Sequence, residues 1–353
     1  MKKKEKELSG VKEIARLANV SIGTVDRVIH NRSGVSTRTR KLIEKIIKDI
    51  NYQPNLLGRR LASNKITQFA TLKPMVSKET SFWEAPLLGI DRAESEIRQY
   101  NIKIERFFFD QNDKNSFNKE ANKILKKKFD GILLAPSFIE ESISFTNRCK
   151  KLNIPYVFID SDIPDQPSLS YIGPDLYHSG YLAANLVSYL VGNRDRIAIV
   201  NISTEMENHH HLLRKEEGFR GYFDDHNLTN KIEKMDIRKT SRNAVKKEIS
   251  LLLQNFSDIK VIFVTNSKVS IVANCLIDSN RDIILIGYDF LKENIGYLED
   301  ERINFLICQK PAEQAFKGIM ALYKHCVLKL PVEENTFMPV DIIMKSNYKY
   351  YNN

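Results

Sequence analysis

Four polar residues stand directly after short apolar runs of the kind that form buried strands. They are Asp160 after "YVFI", Asn266 after "VIFVT", Asp289 after "LIGY" and Gln309 after "FLIC". Phe82 and Trp83, the only tryptophan, fall in the loop after the first such run. Carboxylate and amide groups form paired hydrogen bonds with hydroxyls, and aromatic rings cover apolar C–H faces, so this set predicts a site for a polyol or a sugar. Any single Asp or Asn among them could instead cap the helix that follows it.

The elements that would hold these residues alternate along the chain from Ile66 onward. Apolar runs typical of strands are separated by segments with helical periodicity, such as "APLLGIDRAESEIRQY". The eight runs begin at Ile66, Ile102, Gly131, Pro155, Arg196, Val261, Ile284 and Phe305. Repeated strand–helix units predict parallel sheets covered on both faces, an α/β fold with two doubly wound lobes. Ligands of such folds bind beyond the carboxyl ends of the strands, so we expect the polar residues to meet in a cleft between the lobes.

Motifs for catalysis or cofactor binding are absent from the sequence. There is no GxGxxG, GxxxxGK[ST], HExxH or GxSxG pattern, so we expect neither an enzyme nor a bound cofactor. The run "ENHHHLL" contains His209–His211 in succession, and consecutive residues do not share one face, so no metal site is expected there. Four cysteines without a CxxC pair are interpreted as reduced packing thiols.

Positive charge is concentrated at the N-terminus. The first 65 residues contain 16 Lys and Arg against 6 Asp and Glu, whereas the remainder contains 38 of each. Because this basic block is interleaved with periodic Val, Ile and Leu, it is expected to fold, and a folded basic module indicates a polyanion partner, above all double-stranded DNA. No apolar run is long enough for a membrane span and no secretory signal is present, so we expect a cytoplasmic, nucleoid-associated protein without a membrane partner.

Three amphipathic helices are predicted within the basic block. The first is "VKEIARLA"; Ser21 then caps the second, "IGTVDRVIH", and Ser36 or Thr37 caps the third, "RTRKLIEKIIKDI". Two short helices joined by a three-residue turn and supported by a third form a helix-turn-helix unit, whose second helix enters the major groove of DNA. From Pro54 onward the sequence predicts one more short helix, which is marginal in water unless it docks on something.

Residues 9–64 resemble the DNA-binding head and hinge of the lactose-repressor (LacI) family of transcriptional regulators. The resemblance is carried by "VKEIARLANVSIGTVDRVIHNRSGVSTRTRKLIEKI" and "NYQPNLLGRRLAS". It implies base-reading positions at Ile22, Gly23 and Arg27. It implies phosphate contacts at four further positions: Ser21, Thr24, His30 and Asn55. Leu61, with Ala62 beside it, takes the place of the hinge leucine that inserts at the centre of the operator.

Two residues of the second helix depart from the family pattern. Gly23 has no side chain, so readout there is weak or steric. Asp26 replaces a frequent Ser, and a carboxylate near phosphates is unfavourable unless it accepts from a cytosine amine or pairs with Arg27. We therefore expect Arg27 to read a guanine, worth about 1–3 kcal/mol, or else to serve as a phosphate contact. Leu61 has an alternative too, which is packing between the hinge and the sensor.

Residues 66–345 resemble the periplasmic sugar-binding proteins of the ribose-binding type. The matching stretches include "SFWEAPLLGIDRA", "YIGPDLYHSGYLAA" and "RKEEGFRGYF". The resemblance implies pocket positions at six residues: Phe82, Trp83, Asp160, Asn266, Asp289 and Gln309. Two arginines of that family are missing, because Ser161 and Leu213 stand in their places. We expect His209 or His210 to line the cleft instead, and the ligand to be larger, less polar or held differently from a pentose or hexose.

These patterns divide the chain into five segments. They are a basic arm (1–8), a helix-turn-helix head (9–53), a hinge (54–65), a two-lobed sensor like that of a periplasmic binding protein (66–345) and a tail (346–353). The N-lobe is predicted over about 66–163 and 291–320, and the C-lobe over about 164–290 and 321–345.

The predicted function is sequence-specific regulation of transcription, with operator affinity controlled by a small-molecule effector of the carbohydrate class. Two heads acting on a near-palindromic operator imply a homodimer. The alternative is a DNA-binding regulator with a non-sugar ligand, or with a pocket that has lost its ligand.

Overall fold

A computed structural model describes residues 10–29, 31–50, 52, 66–77, 80–204, 210–277, 279 and 281–351. The chain divides into two compact units, residues 1–62 and residues 63–353. Among the described helices, none combines the length and the apolar character that crossing a bilayer requires.

The first unit contains three short helices around one small core. They are α1 (Val11–Ala18), α2 (Ile22–Ile29) and α3 (Thr37–Asp49). The Ser21 hydroxyl accepts a hydrogen bond from the Thr24 amide at 3.2 Å, and the Ser36 hydroxyl accepts one from the Thr39 amide at 3.2 Å. Both predicted caps are thus confirmed, with Ser36 rather than Thr37 capping α3. Each helix contributes a fully buried side chain to the core: Ile14, Val25 and Ile43.

The second unit contains two six-stranded sheets, and the first of them is wholly parallel. Its strands are β1 (Thr67–Pro74), β2 (Ile102–Phe109), β3 (Gly131–Leu134), β4 (Tyr156–Ile159), β5 (Ser170–Gly173) and β11 (Asn335–Phe337), in the order β11-β5-β4-β3-β1-β2. The helices with this sheet are α4 (Glu84–Ile97), α5 (Lys114–Lys126), α6 (Ile139–Lys151) and α12 (Pro311–Cys326). Helices α4 and α12 touch so closely that a Cβ at Gly89 would lie 1.9 Å from the Ala312 carbonyl oxygen.

The second sheet has the same layout with one antiparallel edge. Its strands are β6 (Arg196–Ile202), β7 (Ile232–Ile237), β8 (Ile259–Val264), β9 (Ile284–Tyr288), β10 (Phe305–Cys308) and β12 (Asp341–Ile343), in the order β12-β10-β9-β8-β6-β7. Its helices are α7 (Leu176–Ser188), α8 (His210–Asp225), α9 (Arg242–Asn255), α10 (Val269–Leu276) and α11 (Lys292–Glu299). Strand β12 pairs antiparallel to β10, and the other pairs are parallel. Apolar side chains cover both faces, as parallel sheets require.

The predicted lobe boundaries are wrong. The chain leaves the first sheet after β5, returns to it after β10 and leaves it again after β11. The prediction had placed these three crossings after residues 163, 290 and 320. Strand β5 pairs with β4, and β10 pairs with β9. Residues 164–173 and 321–337 therefore belong with the first sheet, and residues 291–308 belong with the second. The first boundary is wrong because "SYIG" (β5) is too short to be recognised as a strand. The other two are wrong because "FLIC" (β10), although predicted as a strand, was assigned to the N-lobe, and because β11 was not predicted.

All eight predicted strands are present, and the four that were missed have weak patterns. Strand β7 reads "IEKMDI" and is mostly half-exposed, while β11 and β12 are edge strands of three residues each. The four cysteines are free thiols, as the sequence predicted.

Candidate functional site

One cavity lies beyond the carboxyl ends of both sheets. Its enclosed volume is about 80 Å³, and the space extends to about 720 Å³ when the open mouth is counted. All six residues predicted for the pocket line this cavity: Phe82, Trp83, Asp160, Asn266, Asp289 and Gln309. They meet because parallel strands bring their carboxyl ends to the same edge of each sheet. Their role in binding a ligand remains a prediction.

Two carboxyl groups face each other across the cavity, with Gln309 between them. Asp160 follows β4 in the first sheet and Asp289 follows β9 in the second, and both have positive φ, at 69° and 74°. Gln309 lies where the chain crosses from β10 to α12. Its side-chain Nε2 donates to Asp289 Oδ1 at 3.0 Å and lies 3.5 Å from Asp160 Oδ1. The carboxamide therefore links carboxylates that come from different sheets.

Both carboxyl groups hold a proton more tightly than usual. Burial raises the pKa of Asp160 to about 6, against the opposing pull of the Lys215 ammonium. Burial likewise raises the pKa of Asp289 to about 7; Lys215 opposes this rise and the Asp160 carboxylate adds to it. Near neutral pH the cavity thus carries acceptor groups that are close to gaining a proton.

Lys215 is a buried cation of the cavity that the sequence analysis did not identify. Lys215 projects from α8, is 3% exposed and makes a long hydrogen bond of 3.4 Å to the Thr265 carbonyl oxygen. Its ammonium lies 3.7 Å from the centre of the Tyr288 ring. Burial lowers the pKa of Lys215, while the carboxylates of Asp289 and Asp160 act in the opposite direction. A buried ammonium between two carboxylates suits donation to ligand oxygens.

The prediction that His209 or His210 lines this cavity is wrong for His210, and His209 lies outside the described residues. His210 lines a separate cavity, where its Nε2 is 3.7 Å from Asp162 Oδ1. His211 is the histidine that lines the main cavity. Helix α8 begins at His210, so His211 and Lys215 are one turn apart on the same face. That i, i+4 spacing in "HHHLLRKEE" was the signal that could have identified Lys215.

Phe82 and Trp83 form an aromatic wall of the cavity. Their rings meet edge to face with centroids 4.9 Å apart, and both residues are buried. The Trp83 indole N–H donates to Gln111 Oε1 at 3.1 Å. Gln111 also lines the cavity, although the sequence analysis did not single it out.

Asn266 lines the cavity and is also engaged locally, but it does not cap the helix that follows it, because the N-cap of α10 is Lys268 and no side chain caps that helix start. Asn266 Nδ2 donates to the Ile202 carbonyl oxygen at 2.8 Å, and its Oδ1 accepts from the Lys268 amide at 3.2 Å. Gln309 differs, because its buried Oε1 has no hydrogen-bond partner among the described residues. Buried polar atoms are nearly always satisfied, so this acceptor is available for a ligand donor.

The rim of the cavity is closed by hydrogen bonds between the two lobes. The Ser81 hydroxyl donates to Glu293 Oε2 at 3.1 Å, and the Thr80 and Ser267 hydroxyls lie 3.2 Å apart. On another part of the rim, the Thr204 hydroxyl donates to Asn112 Oδ1 at 3.1 Å. The part of the chain that the structure describes holds no group of three His, Cys, Asp or Glu side chains suited to a metal ion.

In the first unit, α2 presents its N-terminal turn to solvent. Ile22 is 49% exposed, and Ser21, Gly23 and Arg27 are exposed as well. Thr24 is half-buried, and its hydroxyl lies 2.9 Å from that of Ser21. These five positions therefore share a surface that a duplex could reach.

Asp26 has a partner that neither sequence alternative named. Its carboxylate accepts from Arg32 at 3.3 Å rather than from Arg27. Four predicted DNA-contact positions lie outside the described residues: His30, Asn55, Leu61 and Ala62.

Comparison with known proteins identifies both units. Residues 10–55 match the family model "Bacterial regulatory proteins, lacI family", and residues 74–329 match "Periplasmic binding protein domain". The HTH-type transcriptional regulator MalR of Streptococcus pneumoniae is 26% identical over 199 residues, which is 56% of this chain and 58% of that protein. Catabolite control protein A of Staphylococcus xylosus is 27% identical over 154 residues, or 44% of each chain. This chain thus spans about half the length of these curated relatives.

Solved structures agree in fold. A crystal structure assigned as a LacI transcriptional regulator from Bacteroides fragilis is 30% identical, with a TM-score of 0.77 over 82% of this chain and 100% of that one. The glucose-galactose binding protein GanP of Geobacillus stearothermophilus, 21% identical with a TM-score of 0.72 over 80% of this chain and 99% of its own, shares the fold. This chain therefore belongs to the lacI family of bacterial regulatory proteins, and its second unit carries a periplasmic binding protein domain.

Proposed function

We propose that this chain is a DNA-binding transcriptional regulator whose operator affinity is set by a small polyhydroxylated ligand, a sugar or a sugar derivative. The observation that carries the proposal is the set of polar groups in the cavity. Two carboxylates from different sheets accept, the Lys215 ammonium donates, and Gln309 Oε1 is buried without a hydrogen-bond partner in the described part of the chain. If the cavity no longer bound a ligand, this acceptor would be expected to have a hydrogen-bond partner within the protein.

A sugar matches this arrangement group by group. Its hydroxyls donate to the carboxylates of Asp160 and Asp289, and one of its oxygens accepts from Lys215. The indole of Trp83 covers an apolar C–H face. Because the lining comes from both sheets, the ligand binds the closed arrangement of the lobes more tightly than an open one. That difference in affinity is the free energy available to alter DNA binding.

DNA binding is assigned to the exposed start of α2. Ile22, Gly23 and Arg27 read base edges, while Ser21 and Thr24 contact phosphates, with His30 and Asn55 as further phosphate contacts. Leu61, with Ala62 beside it, inserts between bases at the centre of the operator. One head offers few base contacts, so two copies of the chain act together on a near-palindromic operator. The protein acts at the nucleoid in the cytoplasm and carries out no chemical step.

The proteins to which this chain is similar support this proposal. MalR and catabolite control protein A are regulators, and solved structures of the same fold contain D-arabinose, D-allose or myo-inositol. These three compounds, with D-glucose and D-galactose, are the first probes.

Two measurements test the proposal together. Thermal-shift screening of the full chain against the five probes should show one compound that raises the melting temperature, because a ligand that binds only the folded state stabilises it. Selection of duplexes from a random pool, with and without that compound, should yield one near-palindromic sequence whose affinity the compound changes. The proposal fails if no duplex is enriched, and its sugar component fails if an enriched duplex responds to no probe.

A further inference from the structure

A second lysine is buried in this unit, at the end of strand β1. Lys73 is 2% exposed and ranks among the largest fully buried side chains of the described residues. Burial lowers its pKa to about 8. No carboxylate of the described residues forms an ion pair with it. An ammonium without a counter-ion destabilises a core by several kcal/mol on an order-of-magnitude scale, and a Met or Leu of similar volume would not.

The groups around Lys73 show what replaces its hydration. Its Nζ donates to the Trp83 carbonyl oxygen at 3.0 Å and to the Pro74 carbonyl oxygen at 3.1 Å. The ammonium lies 5.0 Å from the centre of the Phe108 ring and 5.7 Å from that of Trp83. Phe108 is its cross-strand neighbour on β2. Two carbonyls and two rings thus solvate one charge.

The Trp83 carbonyl is the point where Lys73 meets the ligand site. Trp83 is the residue before α4, and no side chain caps that helix start. Trp83 lines the cavity, whereas Lys73 does not. The lysine therefore holds the main chain of Trp83 from outside the cavity, while Gln111 holds the indole N–H from within it.

We propose that Lys73 is a positioning residue for the ligand site: its buried ammonium fixes the Trp83 main chain and so places the indole against the ligand. This proposal rests on the proposed function in one respect only, which is that a ligand binds in the cavity. It explains why a charge is retained in a core position, since an apolar side chain could fill the space but could not hold the carbonyl. Lys73 acts through Trp83 and does not contact the ligand.

The charged groups on the elements beside Lys73 do not form ion pairs with it in the described part of the chain. On β2, Arg106 pairs with Asp91 and Glu94, each at 2.6 Å. After β2, the carboxylate of Asp110 accepts from the Asn112 amide at 2.9 Å. Glu84, at the start of α4, is exposed. The cavity itself adds five titratable side chains, so the test must separate Lys73 from Asp160, Asp289, His211, Lys215 and Lys268.

The test uses the emission of Trp83, the only tryptophan, in the full chain without ligand. Wild-type emission should change with a midpoint near pH 8 between about pH 7 and 9.5, because the ammonium beside the indole loses its proton there. Lys73→Met should abolish that transition and make Trp83 more accessible to acrylamide. Lys103→Met, an exposed lysine on β2, is the matched control and should behave as wild type. A transition with its midpoint near pH 8 that persists in Lys73→Met belongs to the cavity groups and overturns the proposal, whereas a change centred near pH 7 belongs to Asp289 and should persist in both proteins.

A second readout is affinity for whichever sugar probe binds the wild type. Lys73→Met should weaken that affinity by about tenfold, the effect of losing one charged hydrogen bond, whereas Lys103→Met should not. If the wild type binds no probe, the proposed function fails while the emission measurement still tests Lys73. If Lys73→Met does not fold, the wild-type pH titration decides, and emission that is flat across the range overturns the proposal.

Discussion

The raised pKa of Asp289 makes ligand affinity depend on pH. Burial raises the pKa of this carboxyl to about 7, and the nearby Asp160 carboxylate adds to the rise while Lys215 opposes it. A sugar hydroxyl donates to the ionised form, so the ligand and a proton compete for the same oxygens. Affinity should therefore be highest above pH 7 and should fall as the pH decreases.

The magnitude follows from the fraction of Asp289 that is ionised. With a pKa of about 7, the carboxyl is almost wholly ionised at about pH 8.5 and only about one tenth ionised at about pH 6. Affinity for a sugar that needs the carboxylate should thus fall about tenfold over this range, which corresponds to about 1.4 kcal/mol. Asp160, with a pKa of about 6, adds a further loss at the acidic end.

Trp83 emission provides the assay, because this single tryptophan lines the cavity. Titrations of the best sugar probe across the pH range should show the loss in wild type. Asp289→Asn should bind more weakly at high pH and should lose most of the dependence. Asp224→Asn, at an exposed position of α8, should match wild type, and His211→Asn should retain the dependence. Equal affinity at both ends of the range in wild type, or an unchanged slope in Asp289→Asn, would refute the competition between proton and ligand.

Three further outcomes follow from the two units. The folded state raises the pKa of Asp289 from 3.8 to about 7, so this group's contribution to stability is greatest in acid and is lost as the pH rises through this window. Between about pH 7.5 and 4, the free energy of unfolding of wild type should therefore increase by up to about 4 kcal/mol relative to that of Asp289→Asn. Denaturant unfolding measures this difference. Arg27→Ala should weaken operator binding by about 1–3 kcal/mol and relax the preference at one base pair, whereas an equal loss on all duplexes would make Arg27 a phosphate contact. The logarithm of DNA affinity should fall steeply and linearly with the logarithm of salt concentration, and a flat plot would contradict a basic DNA-binding head.

The fold was predictable wherever the pattern was strong. Strand segments such as "GILL" and "VIFV" are buried on both faces, so they appear as continuous apolar runs. In the head, Ser21 and Ser36 indicated where two of the helices begin. The crossing points between the lobes were not predictable, because they depend on β5, a strand of four residues, and on β11, a strand of three. Edge strands of three residues carry no period that a sequence window can detect.

The cavity was predictable in part for the same reason. Asp160, Asn266, Asp289 and Gln309 follow strands, and the rule that parallel strands end at one edge brings them together. Lys215 comes from a helix and Lys73 from within a strand, so no strand-end rule identifies them. A lysine in sequence is by default a surface residue, and only the three-dimensional packing shows that these two are enclosed.

The three crossings between the sheets set an order for folding during synthesis. The first lobe needs α12 and the edge strand β11, which lie near the end of the chain, and the second lobe needs β12, which follows them. Neither lobe is complete until almost the whole polypeptide has emerged from the ribosome, whereas the three N-terminal helices share a small core of their own and can fold as soon as they appear. A nascent chain can therefore possess a folded first unit long before its second unit is complete, and early termination would release the head without a finished periplasmic binding protein domain.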